Sequence, residues 1–211
     1  MKDKKGKLII VRHTESEWNK QERWTGQYDA DLTPKGIEMA ERMAKVIEDI
    51  NIDRAFTSKL VRAQKTLNIL LKNLDLERVP IETSPNINER DYGDYTGKNK
   101  WEMKEIIGEE RFNCVRRAWD CPVPNGETLR VVHERVIPYY KETVLPNILK
   151  GENVILVAHT NSIRALIKYI EGISDEDIRK AEMPFGTFFI YSVNEEGKFL
   201  EKEVRELGQL S

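Results

Sequence analysis

Two of the three histidines stand in matching contexts, Leu8-Ile9-Ile10-Val11-Arg12-His13-Thr14-Glu15-Ser16 and Val154-Ile155-Leu156-Val157-Ala158-His159-Thr160-Asn161-Ser162. Each histidine closes a short apolar run. Arg12 adjoins the first histidine, and Arg62 follows a second apolar run near Ser58. Two imidazoles and two guanidiniums suit a phosphoryl group. Guanidinium forks match its oxygens bidentately, and an imidazole either attacks phosphorus or donates to an equatorial oxygen. Glu89, in Asn88-Glu89-Arg90, is the candidate source of the proton that the leaving oxygen needs. A free glutamate titrates near ~4.3. Neighbouring arginines would lower that further, so a bound phosphate's negative charge is expected to raise it in the complex. A metal centre is the rival reading of two histidines, but it needs three or four ligands, and no HxH, HExxH or CxxC spacing supplies them. No metal is expected. His133 has no comparable context and reads as a solvated surface residue.

The elements that must position these residues follow from periodicity. Lys7 to Val11 reads as a strand ending at Arg12 and His13, Arg54 to Thr57 as a second, Asn153 to Ala158 as a third and Thr187 to Val193 as the last. Thr33-Pro34 opens a helix with a stripe of Ile37, Ala40, Met43, Ala44 and Ile47. Ser58 is a candidate cap for a helix over Leu60 to Leu71, and a further helix is expected over Ile163 to Ile170. Pro80 to Asn99 reads as a long ordered loop, Lys100 to Asp120 as one polar helical stretch and Pro122 to Gly126 as a break. A helix from about Leu129 is expected to be kinked or segmented by Pro138 and Pro146. Alternating strands and helices predict an α/β layer fold with a mainly parallel sheet. In such a sheet the ligand crevice lies outside the carboxyl ends of the strands, which brings both imidazoles to one place. The helix after His159 adds free N–H groups that favour an anion.

Composition bounds the alternatives. The 211 residues are read as one domain, 1–211, and 39% apolar with 33% charged residues fits neither a disordered nor a membrane chain. The basic start, from Met1 to Lys7, is followed only by Leu8 to Val11 before Arg12 interrupts, so no export signal is expected. Cys114 and Cys121 are too few for a disulfide framework, which points to a reducing, cytoplasmic setting. A net charge of −2 gives no global attraction to nucleic acid, and neither a nucleic-acid nor a membrane partner is expected. Trp18, Trp24, Trp101 and Trp119 read as packing residues.

Over nearly its whole length the chain resembles the histidine phosphatase superfamily, and within it the 2,3-bisphosphoglycerate-dependent phosphoglycerate mutases. The local matches run from Val11 to Asn19, Trp24 to Gly26, Asp31 to Gly36, Thr57 to Ala63, Asn88 to Gly93, Gly97 to Lys100, Arg116-Arg117 and Ala158 to Ser162. The first is shared across the superfamily. The Asn88-Glu89-Arg90 loop, Asn99-Lys100 and the double arginine are the mutase-like signature.

That resemblance implies that His13 is phosphorylated, that Arg12, Arg62, Asn19 and His159 hold the transferred group, and that Glu89 is the general acid and base. It assigns Ser16, Thr25, Gly26, Tyr92, Lys100, Arg116, Arg117 and Asn161 to the rest of the substrate. It implies interconversion of 3- and 2-phosphoglycerate in glycolysis and gluconeogenesis, with 2,3-bisphosphoglycerate as phosphate donor and no metal. The fold it implies is a three-layer α/β/α sandwich, acting as a monomer or homodimer. A phosphomonoesterase and a catalytically silent phospho-ligand binder are the competing functions. Thr14 and Thr160 stand where the mutases usually carry glycine, and the chain has a shorter C-terminal tail than longer mutases. Either the backbone at these threonines is ordinary or the sites have shifted. The hydroxyl of Thr14 would be an extra phosphate donor.

Overall fold

The computed structural model describes residues 6–209. Part of the basic start lies outside them. Six strands, β1 (Lys7–Arg12), β2 (Arg54–Ser58), β3 (Ile81–Ser84), β4 (Val154–Ala158), β5 (Thr187–Val193) and β6 (Phe199–Glu206), form one sheet in the order β3-β2-β4-β1-β5-β6. The four strands β1 to β4 run parallel, β5 runs against β1, and β6 runs against β5. The helices are α1 (Glu17–Lys20), α2 (Pro34–Met43), α3 (Val61–Asn73), α4 (Lys100–Ile107), α5 (Glu109–Arg117), α6 (Leu129–Tyr139), α7 (Leu145–Leu149) and α8 (Thr160–Glu171).

The central strands are apolar on both faces because both are covered. Side chains alternate across a strand. Accordingly Leu8, Ile10, Leu156 and Ala158 join Leu129, Val132 and Val136 of α6 and Ile163, Leu166 and Ile167 of α8 in one core. Ile9, Val11, Ile155 and Val157 join Met43 of α2 and Leu67, Leu70 and Leu71 of α3 in the other. The result is the three-layer sandwich. A one-residue slip of β1 against β4 would exchange the two faces, so the register Arg12 opposite Ala158 is pinned by packing. A third apolar cluster, with Trp24, Tyr92, Met103, Phe112, Val115 and Val123, joins the segments around residues 24, 92, 103, 112–115 and 123.

Several sequence expectations change. The loop over 80–99 contains β3, an edge strand of four residues that pairs only with β2 and leaves Ile81 43% exposed, too short and too open to show alternation. Thr187 to Val193 is not the last strand, because β6 returns against it after a turn in which Asn194 N–H donates to Lys198. Its charged outer face hid it. The stretch over 100–120 is two helices divided at Gly108, whose φ of 79° only glycine adopts freely. Thr33 caps α2 through a hydrogen bond from Gly36 N–H. Ser58 does not cap α3, whose first flanking residue is Leu60. Helix α8 begins at Thr160, three residues earlier than periodicity suggests. Pro138 sits inside α6, and a π-helical segment, Tyr140–Val144, joins α6 to α7, which has Pro146 in its first turn. His133 is half-buried, its ring edge-on to Trp119 at 5.2 Å. Trp101 is 47% exposed, while Trp24 is buried.

The cysteines form a disulfide, Cys114–Cys121, with their Cα atoms 5.8 Å apart. This removes the cysteine-based argument for a reducing compartment. The pairing was illegible locally because it depends on the chain turning back after α5. Closing so short a loop stabilises by about 2–3 kcal/mol on the chain-entropy argument. Reductant, or Cys114→Ser with Cys121→Ser, is therefore expected to lower the urea midpoint accordingly, and an unchanged midpoint would show the bridge to be without consequence. Among the described residues no helix is long and apolar enough to cross a membrane.

Candidate active site

The parallel pairing of β1 with β4 sets the first element of the site. Arg12 lies opposite Ala158, and His13 N–H donates to the Ala158 carbonyl at 3.0 Å, so the next residue on each strand arrives at the same level. The rings of His13 and His159 stand 4.9 Å apart between centroids, inclined at 55°. Both are buried.

His13 Nδ1 lies 2.6 Å from the Thr14 carbonyl oxygen. A carbonyl only accepts, so Nδ1 carries the hydrogen and Nε2 keeps its lone pair. Burial first, then the charges of Arg62 and Arg12, hold the imidazole well below its ordinary pKa, leaving it neutral and nucleophilic at pH 7. His159 is lowered likewise, by burial and then by Arg62, His13 and Arg12. Its Nε2 is 2.7 Å from Ser58 Oγ, which also accepts from Leu60 N–H at 3.1 Å. Ser58 thus orients an imidazole rather than a helix. His159 Nδ1 is buried without a partner. Facing an anion, the fitting tautomer has hydrogen on Nδ1 and the Ser58 hydroxyl donating to Nε2.

The guanidiniums close on the same place. Arg62, in the first turn of α3, donates to the carbonyls of Tyr28 and Gly26, each at 2.8 Å, and Gly26 takes up a positive φ of 53°. Arg12 lies over the Phe185 ring at 3.8 Å. Burial lowers Arg12 and Arg62 to about 10, which leaves both charged at neutral pH. The Nε atoms of both arginines are buried without a partner. Three orphaned nitrogens, on Arg12, Arg62 and His159, make a donor set that an anion satisfies.

Glu89 is the acidic member. Its Oε1 accepts from the N–H of Arg90 at 2.8 Å and of Asn161 at 3.1 Å, the latter in the first turn of α8. The Glu89 loop is itself clamped by Arg135, which donates to the carbonyls of Asn86, Asn88 and Glu89 and pairs with Glu127.

Arg12, His13, Asn19, Thr25, Gly26, Arg62, Glu89, Tyr92, Lys100, Arg116, Arg117 and Asn161 line one cleft of about 240 Å³. Two expected site residues do not line it. His159 is fully buried beside His13, with its Nδ1 left unpartnered, and Ser16 is buried with its hydroxyl donating to Asn19 Oδ1 at 2.8 Å, where it caps α1. Ser16 therefore sets Asn19 and is not placed to touch a ligand. Thr14 and Thr160 have ordinary backbones, since neither is among the residues with positive φ. The Thr14 hydroxyl lies 3.3 Å from that of Thr66, so it is not an extra phosphate donor. Thr160 does line the cleft, along with six residues that sequence reasoning did not place in the site: Arg23, Trp24, Arg164, Glu182, Met183 and Pro184. Arg164 sits among the apolar residues of α8, which was the available signal.

Lys100 gives the cleft a pH dependence. Burial, then Arg12 and Arg116, lowers it to about 8. Because its pKa is depressed, its charge is present below about 8 and is lost as pH rises through that value. Affinity for a phosphorylated anion that reaches Lys100 is expected to fall about tenfold between pH 7 and 9, following the protonated fraction. Calorimetric titration across that range checks it. Lys100→Arg should flatten the profile, and a break that survives it would assign the titration elsewhere.

Comparison with known proteins adds a family to this geometry. Residues 8–204 match the model of the histidine phosphatase superfamily (branch 1). A phosphoglycerate mutase of Schizosaccharomyces pombe is 42% identical over 199 residues, covering 93% of this chain and 94% of that protein. A 2,3-bisphosphoglycerate-dependent phosphoglycerate mutase of Parvibaculum lavamentivorans is 39% identical over 199 residues, covering 93% and 95%. Among solved structures, a mycobacterial hydrolase superposes with a TM-score of 0.83 at 21% identity over 95% of this chain and 97% of its own, a likeness of fold.

Proposed function

The chain belongs to the histidine phosphatase superfamily, and from that premise we propose that its single catalytic domain, 1–211, interconverts 3-phosphoglycerate and 2-phosphoglycerate through a phosphorylated His13, primed by 2,3-bisphosphoglycerate. The observation that carries the chemistry is the pair of buried, neutral imidazoles 4.9 Å apart with unpaired guanidinium nitrogens beside them. The Nε2 lone pair of His13 attacks phosphorus while the P–O bond to the leaving oxygen breaks. Glu89 gives that oxygen a proton. Arg12, Arg62 and His159 take the charge on the three equatorial oxygens. In the transfer step the free 2-hydroxyl of bound 3-phosphoglycerate attacks the phosphohistidine, its proton passes to the Glu89 carboxylate, the N–P bond breaks and the bisphosphate forms; once it has reoriented, its 3-phosphoryl group recharges His13 by the first step and 2-phosphoglycerate leaves. Glycolysis and gluconeogenesis are the pathways this reaction serves, in the cytoplasm.

Lys100, Arg116 and Arg117 favour a mutase over a phosphomonoesterase, because they supply a second group of cations for the carboxylate and the other phosphate. A phosphatase needs only the first group. The two reactions differ in whether a bound hydroxyl or water meets the phosphohistidine first. Coupled conversion of 3-phosphoglycerate, with and without the bisphosphate and beside phosphate release from a generic monoester, tests the reading. Isomerisation stimulated by the bisphosphate is expected. Phosphate release without isomerisation would make the chain a phosphatase.

A further inference from the structure

The last turn of a helix exposes carbonyls that no intrahelical N–H reaches. At the end of α5 the Val115 carbonyl is taken by Arg90 at 2.7 Å, and those of Arg116 and Arg117 by Arg164, at 3.2 and 2.7 Å. Arg164 also donates to the Ile178 carbonyl at 2.8 Å and to Asn161 Oδ1 at 3.0 Å. It is 1% exposed, yet it lines the cleft. One guanidinium on α8 therefore joins four points: both backbone units of the double arginine, the chain leading to Glu182 and Met183, and the side chain of Asn161, whose N–H meets Glu89.

We propose that Arg164 is a positioning residue of the anion grip, fixing where the side chains of Arg116 and Arg117 enter the cleft by holding their own main-chain carbonyls. Its planar fork suits this, since it presents several donors in one rigid plane and so constrains the helix end in both position and rotation. A lysine has three donors about one point and does not span the same acceptors. Arg117 is additionally paired with Glu182 at 2.6 Å, so the far side of the same guanidinium cluster depends on the segment that Arg164 ties through Ile178. Small displacements of groups that orient a substrate have large consequences for binding and rate.

This inference rests on the mutase reading, in which Arg116 and Arg117 hold the substrate's second anionic end. The test is a cycle of four proteins: wild type, Arg164→Met, Arg116→Met with Arg117→Met, and the combination, with the dissociation constant of 3-phosphoglycerate measured by calorimetry. Arg164→Met is expected to weaken binding at least tenfold in the wild-type background and less than threefold when both arginines are gone. It should also raise KM tenfold with kcat within threefold. Equal losses in the two backgrounds would reduce Arg164 to a general structural staple and overturn the proposal. Arg164→Lys serves if the methionine variant does not fold, with an intermediate loss expected and wild-type affinity counting against the proposal. Wild-type binding without isomerisation overturns the mutase reading while the cycle still decides on Arg164. No binding by the wild type overturns both.

Discussion

His13→Ala is expected to lower phosphoglycerate isomerisation by at least about 10⁴-fold, the scale on which loss of a covalent nucleophile falls. In the proposed mechanism the substitution removes the atom that bonds to phosphorus, and the neighbouring ring is not free to replace it. His159 Nε2 is committed to Ser58 at 2.7 Å, and its Nδ1 serves as a donor in the tautomer that fits an anion. Acid-labile labelling of the protein by the bisphosphate should vanish together with turnover. The affinity for 3-phosphoglycerate should change far less, because Arg12, Arg62, Lys100 and the double arginine remain. Labelling that persists in the alanine variant would move the nucleophile elsewhere. The wild-type pH profile carries a related expectation. Because burial and two arginines depress His13, its protonation should limit the reaction only well below pH 6.5.

Glu89→Gln is expected to cost about 10²- to 10⁴-fold, the range for general acid–base catalysis. The amide keeps the carboxylate's shape and retains an acceptor for the N–H groups of Arg90 and Asn161, so the loop should hold its place. What it loses is the proton that moves. The deficit should therefore depend on the leaving group: large for an alkyl oxygen such as that of phosphoglycerate, and small for p-nitrophenyl phosphate, whose phenolate departs without help. Equal losses for the two substrates would point to a binding or structural role for Glu89. The clamp by Arg135 on the carbonyls from Asn86 to Glu89 explains how a carboxylate on a turn is held firmly enough for the task.

Much of the candidate site was legible because each half of it is local. An apolar run that ends in Arg12-His13, and another that ends in His159, mark strand ends, and in a parallel sheet those ends share one edge. Residues that reach the cleft from loops, from the four-residue helix α1 or from the first position of α4 were harder. Asn19, Thr25, Tyr92 and Lys100 have no periodicity of their own and were identified only through resemblance. Ser16 and Thr14 show the limit in the other direction. Both belong to the motif that carries His13, but their hydroxyls turn to Asn19 and Thr66, a choice made by neighbours 3 and 52 residues away.

By itself the sequence determined the layered α/β fold, the central strands and the family, since these follow from side-chain periodicity and from motifs readable within a few residues. Only the tertiary structure decided the Cys114–Cys121 bridge, the edge strands β3 and β6, the Ser58–His159 hydrogen bond and the grip of Arg164 on the end of α5. Each of these pairs groups whose meeting depends on how separate segments pack, and a carbonyl or a thiol carries no local mark of the partner that packing will bring to it.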